Sequence, residues 1–328
     1  MTSEADGSGR FDTRVGELLD RRHPVCAAAR VSAGRVAVSV RGAAPGDTFE
    51  IGSISKSITG LLYHDALARG EIGLDSTLGD LLPLGSAPAA RVRLGDLATH
   101  RSGLPRLPKA AQPVRRTMSL WRHGTNPYGE DLEQLLAQVQ GVRLGAARPR
   151  YSNLGFELLG HAVARAAAMT YAELVRARLA DPLGLDSVHV PATPAELGPG
   201  ALVGRSRRGS AREPWTGEAI GPAGGIRASV QDMARLTVAL LDGSAPGLTA
   251  LDGVAPFGRG AVVGAGWVTV DVARRPITWH NGGTGGFRSW IGLDRVAGTG
   301  VVVLSATSLA VDRAGFALLT EPTRSPVA

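Results

Sequence analysis

Segments with strand character lie near both ends of the chain and segments with helical spacing lie between them. One sheet must therefore be assembled from both termini, with a helical stretch carried across it. Near the amino end, "PVCAAARVSAGRVAVSVRG" holds two apolar runs about a short Ser-Ala-Gly turn and predicts a β-hairpin. Near the carboxyl end, "GRGAVVGAGWVTV", "PITWH", "SWIGLDR" and "GTGVVVLSAT" predict strands, with a closing helix near Leu309 to Leu319. Residues 1–12 read as a disordered lead, followed by an amphipathic helix from about Asp12 to Arg22 with Val15, Leu18 and Leu19 on one face. A helix opening at Ser53 is expected to bury Ile54, Ile58, Leu61, Leu62 and Ala66 and to end at Gly70. From about Asp75 to Leu197 short helical patches alternate with Pro/Gly loops. The division this implies is a sheet domain over 13–74 and 205–328 and a mostly α-helical subdomain over 75–204, in the α+β class.

Composition narrows the function. Of 328 residues 44% are hydrophobic, enough for a packed core. The net charge of +7 invites a nucleic-acid reading, with "GRSRRGSAR" at 204–212 as the candidate patch. Arginine is spread through the whole chain, however, and no aromatic residue interleaves with that run, so it reads as a solvated loop and no specific nucleic-acid partner is expected. No stretch reaches the roughly 18 uninterrupted apolar residues of a membrane span. The amino terminus has acidic and polar residues where a secretory signal has a basic start and an apolar run, which predicts a cytoplasmic protein. The single cysteine, Cys26, reads as core filler, and no Cys/His cluster has zinc spacing, so neither a metal nor another cofactor is expected.

Three short motifs carry the chemistry. Only two lysines occur, Lys56 and Lys109, so an amine retained at 56 in a chain that otherwise uses arginine points to a specific need. Ser53 lies three residues before it, which on a helix puts both side chains on one face, the serine in the positive end of the helix dipole. In "RYSNLG", Tyr151 and Asn153 project to the same side of an extended loop, and the plainer reading is a helix cap with a packed tyrosine. In "WHNGGTGGFRSW", His280, Asn281 and Gly282 follow a strand, and the plainer reading is a glycine-rich hairpin turn with a surface histidine. The glycines do not fit a dinucleotide loop, and there is no Gly-x-Ser-x-Gly elbow. His64 and His100 read as packing, and Trp215, Trp267 and Trp290 as core or pocket wall.

Taken in order, Ser-x-x-Lys, Tyr-Ser-Asn and His-x-Gly resemble the serine β-lactamase and penicillin-binding-protein superfamily, closest to its class C branch of β-lactamases, D-alanyl-D-alanine carboxypeptidases, D-aminopeptidases and esterases. "LGDLATHRSGLP", "DPLGLDS" and "AGGIRASVQDMARL" are further phrases in family order, and the likeness spans about residues 49–305. It implies a β-lactamase-like fold, an antiparallel sheet flanked by helices with the helical subdomain inserted. It also implies that Ser53 is a nucleophile forming an acyl-enzyme, with Lys56 and Tyr151 as candidate bases. The backbone N–H groups of Ser53 and Gly283 would hold the oxyanion. Asn153 would bond Lys56 and substrate, and His280 would orient Tyr151 and meet the acyl chain's polar end, beside Asn281 and Gly282.

Two departures from the class C pattern stand beside a missing export signal. Arg106 and Leu107 stand where a glutamine is expected after "SGLP", the hairpin before Ser53 is short, and no export signal is visible. His280 in place of lysine leaves less fixed positive charge for a substrate carboxylate. The expectation is an esterase or amidase acting on a small ester, amide or short peptide. The alternatives are a transacylase passing the acyl group to an alcohol or amine, a D-amino-acid peptidase or β-lactamase, and a catalytically silent binding homologue.

Overall fold

The computed structural model describes residues 2–107, 112–258 and 260–321. Ten strands form in chain order: β1 Cys26–Ser32, β2 Arg35–Arg41, β3 Phe49–Glu50, β4 Arg227–Ala228, β5 Ala255–Pro256, β6 Ala261–Val263, β7 Val268–Val272, β8 Arg275–Gly283, β9 Arg288–Asp294 and β10 Thr299–Ser305. The helices of eight residues or more are α1 Thr2–Leu18, α2 Ile54–Ala68, α3 Pro113–His123, α4 Leu132–Val139, α5 Asn153–Ala166, α6 Val230–Asp242 and α7 Asp312–Thr320.

The amino-terminal hairpin turns on Ala33 and Gly34, both at positive φ, which matches the twist of its strands. β1 then pairs antiparallel with β10, Cys26 opposite Ser305 and Ser32 opposite Thr299, so the two ends of the chain meet inside one sheet. Eight strands follow the order β2-β1-β10-β9-β8-β7-β6-β5, each pair antiparallel, while β3 and β4 form a separate short pair. Side-chain alternation divides the core. Ala28, Val301 and Val303 pack with Cys26, Trp290 and the helices α1 and α7 on one face, whereas Ala27, Ala29, Val302 and Leu304 join the larger core of α2, α5 and α6 on the other.

Two elements differ from expectation. α1 covers Thr2–Leu18, so the stretch read as a disordered lead is helical from its second residue and the helix stops four residues earlier than expected. Its anchor (Phe11, Val15 and Leu19) lies in its second half and beyond, and the polar early turns propagate from that anchor with no apolar period of their own. α2 was expected to bury one face, yet twelve of its fifteen residues are buried. A helix enclosed on all sides must satisfy its polar side chains internally. Ser57 donates to Gly266 O at 2.8 Å, Thr59 to Pro222 O at 2.7 Å, and Ser55 Oγ accepts from Ile226 N–H at 3.2 Å.

Candidate active site

Ser53 is set at the mouth of α2 by a tight turn. Gly52 has φ +52°, and a Cβ there would come within 2.6 Å of the Gly283 nitrogen, so the approach to Ser53 runs directly against the end of β8. At Gly282 an added Cβ would stand 2.0 Å from Ile51 O, which makes glycine obligatory for that packing. Ser53 is the half-buried residue of a buried turn; its hydroxyl makes no cap bond, and the residue lines a cleft of about 830 Å³ with Tyr151, Gly282 and Gly283.

One helical turn on, Lys56 is wholly buried. Its Nζ lies 3.2 Å from Ser53 Oγ, donates to Ala223 O at 2.5 Å and sits 4.9 Å from the centre of the Tyr151 ring. Serine, amine and phenol are thereby brought together from two helix starts. Ser152, between Tyr151 and Asn153, caps α5 by accepting from Gly155 N–H at 2.9 Å and donates to Pro105 O at 2.7 Å. The cap reading of "YSN" holds at Ser152, and Tyr151 lines the cleft.

Asn153 differs from its expected role. Its Nδ2 donates to Tyr128 Oη at 3.2 Å and its Oδ1 is buried without a partner, so no bond to Lys56 forms; the amine is already taken up by Ser53 and Ala223. His280 meets Tyr151 through its ring, centres 6.4 Å apart, rather than through a hydrogen bond. Nor does it sit in a hairpin turn: β8 continues to Gly283, and His280 is buried on it. Its Nδ1 donates to Asn281 O at 2.6 Å, which leaves Nε2 as the acceptor. Burial, reinforced by the charge of Lys56, pushes its pKa down to about 4, so the ring is neutral near pH 7. Asn281 is exposed and donates through Nδ2 to Asp312 at the start of α7.

His100 packs as expected, but at the site itself. Its ring lies 4.6 Å from Tyr151 and 4.8 Å from Phe156, and its Nδ1 accepts from Ser152 N–H at 3.3 Å. Burial first, then Lys56 and His280, hold its pKa well below the ordinary histidine range. His64 bonds Thr249 Oγ1 at 2.8 Å away from these groups, Trp267 and Trp290 are buried in the core, and Trp215 lines the cleft.

Sequence reasoning missed that arginines line the cleft. Arg106, Arg207, Arg212 and Arg288 line the cleft against a single acid, Asp312. Arg106, standing at the expected glutamine position, places its guanidinium 5.6 Å from the Tyr151 ring centre, and its carbonyl accepts from the Asn153 and Leu154 N–H groups at the start of α5. Arg207 and Arg212 belong to the run read as a solvated loop. The reduced positive charge inferred from His280 is thus offset by residues outside any motif, and only the crowding of arginine at 205–212 signalled it.

A family model described as Beta-lactamase matches residues 11–318. The chain belongs to that family. Among curated relatives, the β-lactamase of Escherichia coli K12 is 27% identical over 193 residues, 57% of this chain and 46% of the relative. The D-alanyl-D-alanine-carboxypeptidase/endopeptidase AmpH of the same strain is 29% identical over 150 residues, 43% of this chain and 36% of the relative. The chain thus spans less than half the length of these curated members. Among solved structures, D-alanine carboxypeptidase AmpC from Burkholderia cenocepacia has a TM-score of 0.78 at 22% identity, covering 96% of this chain and 99% of that one. The class C β-lactamase of Rhodobacter sphaeroides has a TM-score of 0.75 at 22% identity, with 93% and 95% covered. The fold is β-lactamase-like, with the large antiparallel sheet and flanking helices expected of the family.

Proposed function

We propose that the protein is a serine hydrolase that cleaves an ester or amide through an acyl-enzyme on Ser53. The observation that carries this reading is a fully buried amine, Lys56 Nζ, 3.2 Å from a serine hydroxyl that faces an open cleft at a helix start. Lys56 or Tyr151 takes the Oγ proton as Oγ attacks the substrate carbonyl carbon. The negative oxygen that forms is met by the Ser53 and Gly283 N–H groups and by the positive end of α2. The C–O or C–N bond then breaks, the leaving group takes up the proton, and water attacks the ester on Ser53 to release the acid. Neutral His280 and His100 add no charge to this step and hold the Tyr151 ring between them.

The cleft arginines favour a substrate with an anionic group on the cleft side, which keeps a carboxypeptidase-like or β-lactamase-like reaction as a second reading beside an esterase or amidase. Labelling with a fluorophosphonate and mapping the modified peptide tests the assignment. Stoichiometric label on Ser53 is expected; label on the buried Ser55 or on Ser102 with Ser53 clean removes it. A panel of p-nitrophenyl esters, D-amino-acid amides and a chromogenic cephalosporin separates the substrate classes.

A further inference from the structure

Beside the cleft lies a second chamber of about 760 Å³, roofed by α3 and walled by α4 and the start of the loop at 105–107. It adjoins the catalytic cleft, since Arg106, Leu120, Trp121 and Trp215 line both. Its walls are mostly apolar: Leu107, Leu120, Leu135, Ile220, Trp121 and Tyr128. The motifs do not account for this space, because none of Ser53, Lys56, Tyr151, Asn153, His280, Asn281 and Gly282 lines it.

Charge inside the chamber is cancelled or absent. Arg116 is paired with Glu130, and Arg106 and Arg150 are exposed at the rim. Glu157, on the wall one turn along α5 from Asn153, is 4% exposed and its carboxyl makes no hydrogen bond among the described residues. Burial raises its pKa to about 8, so near pH 7 it is an uncharged carboxyl. A charged acyl group would lose its hydration in the chamber's interior, where the arginines that could meet an anion, Arg106 and Arg150, stand only at the rim, and a cation would also meet the field of Lys56 and Arg106. A neutral apolar group gains by leaving water, and cavities of this size commonly enclose such ligands.

We propose that this chamber is the acyl-group subsite of the enzyme and that it takes an uncharged, apolar acyl group longer than acetyl, entering from Ser53 past Leu120 and Trp215. The proposal rests on the serine-hydrolase reading above for its chemistry and on the chamber alone for its selectivity. The two are tested separately.

In the unmodified protein, kcat/KM for p-nitrophenyl octanoate is expected to exceed that for p-nitrophenyl acetate by at least ~10-fold, since several methylenes leave water. The p-nitrophenyl ester of 8-aminooctanoic acid is expected to fall below the octanoate. Filling the chamber with Ala219→Phe, or from the exposed side of α3 with Thr117→Trp if the first variant fails to fold, should cut the octanoate-to-acetate ratio by a similar factor. Calorimetry on Ser53→Ala protein gives the same comparison without turnover, with octanoate ester expected to bind at least ~10-fold more tightly than acetate ester. If the unmodified protein turns over neither ester while Ser53→Ala keeps this preference, the hydrolase reading fails and the subsite stands. Hydrolysis of acetate with no octanoate preference in kinetics or calorimetry overturns the subsite and leaves the hydrolase. An aminooctanoate ester used as well as octanoate overturns the charge selection.

Discussion

At the scale of residues, the decisive group is the amine at 56. The chain accepts arginine almost everywhere else, and the Lys56 amine is met by Ser53 Oγ, Ala223 O and the Tyr151 ring. A guanidinium stays protonated in proteins and cannot serve as a base, while an ammonium can give up its proton. Lys56→Arg is therefore expected to slow single-turnover acylation by ~10²-fold or more, the usual loss when general-base assistance goes, with the circular dichroism spectrum unchanged. A well-folded variant acylating within about tenfold of the unmodified protein would make Tyr151 the leading base. That Ser53, Lys56, Tyr151 and His280 would lie together was legible in the sequence because each sits at a fixed offset within a short phrase. Arg288, Arg207 and the buttress role of His100 were not, because they reach the site by tertiary packing. The Asn153 contact was misassigned for the same reason, since its partner Tyr128 comes from a loop 25 residues upstream.

At the scale of elements, Ser53 is held in place by what precedes it. β3 ends at Glu50, and that carboxylate forms a buried pair with Arg227 of β4 at 3.1 Å, 3% and 0% exposed. Arg227 also donates to Thr48 O at 2.8 Å and Leu202 O at 2.9 Å, and Glu50 accepts from Trp215 N–H at 2.9 Å. One ion pair thus ties the strand that feeds α2 to the strand that feeds α6 and to a tryptophan on the cleft wall. Removing one partner of such a pair strands a buried charge, so Arg227→Met is expected to cost ~3–5 kcal/mol in chemical denaturation. Glu50→Leu added to it should recover much of that loss. A single variant within ~1 kcal/mol of the unmodified protein would mean that water reaches the pair. The short β3–β4 ladder could not be read from periodicity, because two-residue strands have none. α2 was readable as a helix but not as a central one, because its serines and threonine look like an exposed face until their partners at 222, 226 and 266 are seen.

At the scale of the whole molecule, a sheet closed by both termini was visible in the order of strand and helix segments, whereas the cleft's charge and the chamber beside it arise only when distant segments meet. The same enclosure leaves opposed titrations in the fold. Burial pushes His23, His64, His100, His161 and His280 downward from the ordinary value of 6.5, His280 to about 4. Below pH 6.5 the unfolded chain binds protons that the folded chain refuses, so these groups make stability fall as pH drops from 6.5 toward 4. Glu157 acts in the opposite sense. Its pKa is raised from 4.5 to about 8, so between those values the folded state holds a proton that the unfolded state has released, and stability falls as pH rises through that window. Glu157→Gln removes the titration and leaves a similar shape. Any fixed cost of burying the amide is the same at every pH, so the change in stability with pH isolates the carboxyl. The variant is expected to gain on the unmodified protein by at least ~1 kcal/mol between pH 5 and pH 9, measured by urea denaturation at each pH. A difference that does not change with pH would show that Glu157 titrates as an exposed glutamate does, with water filling the chamber around it.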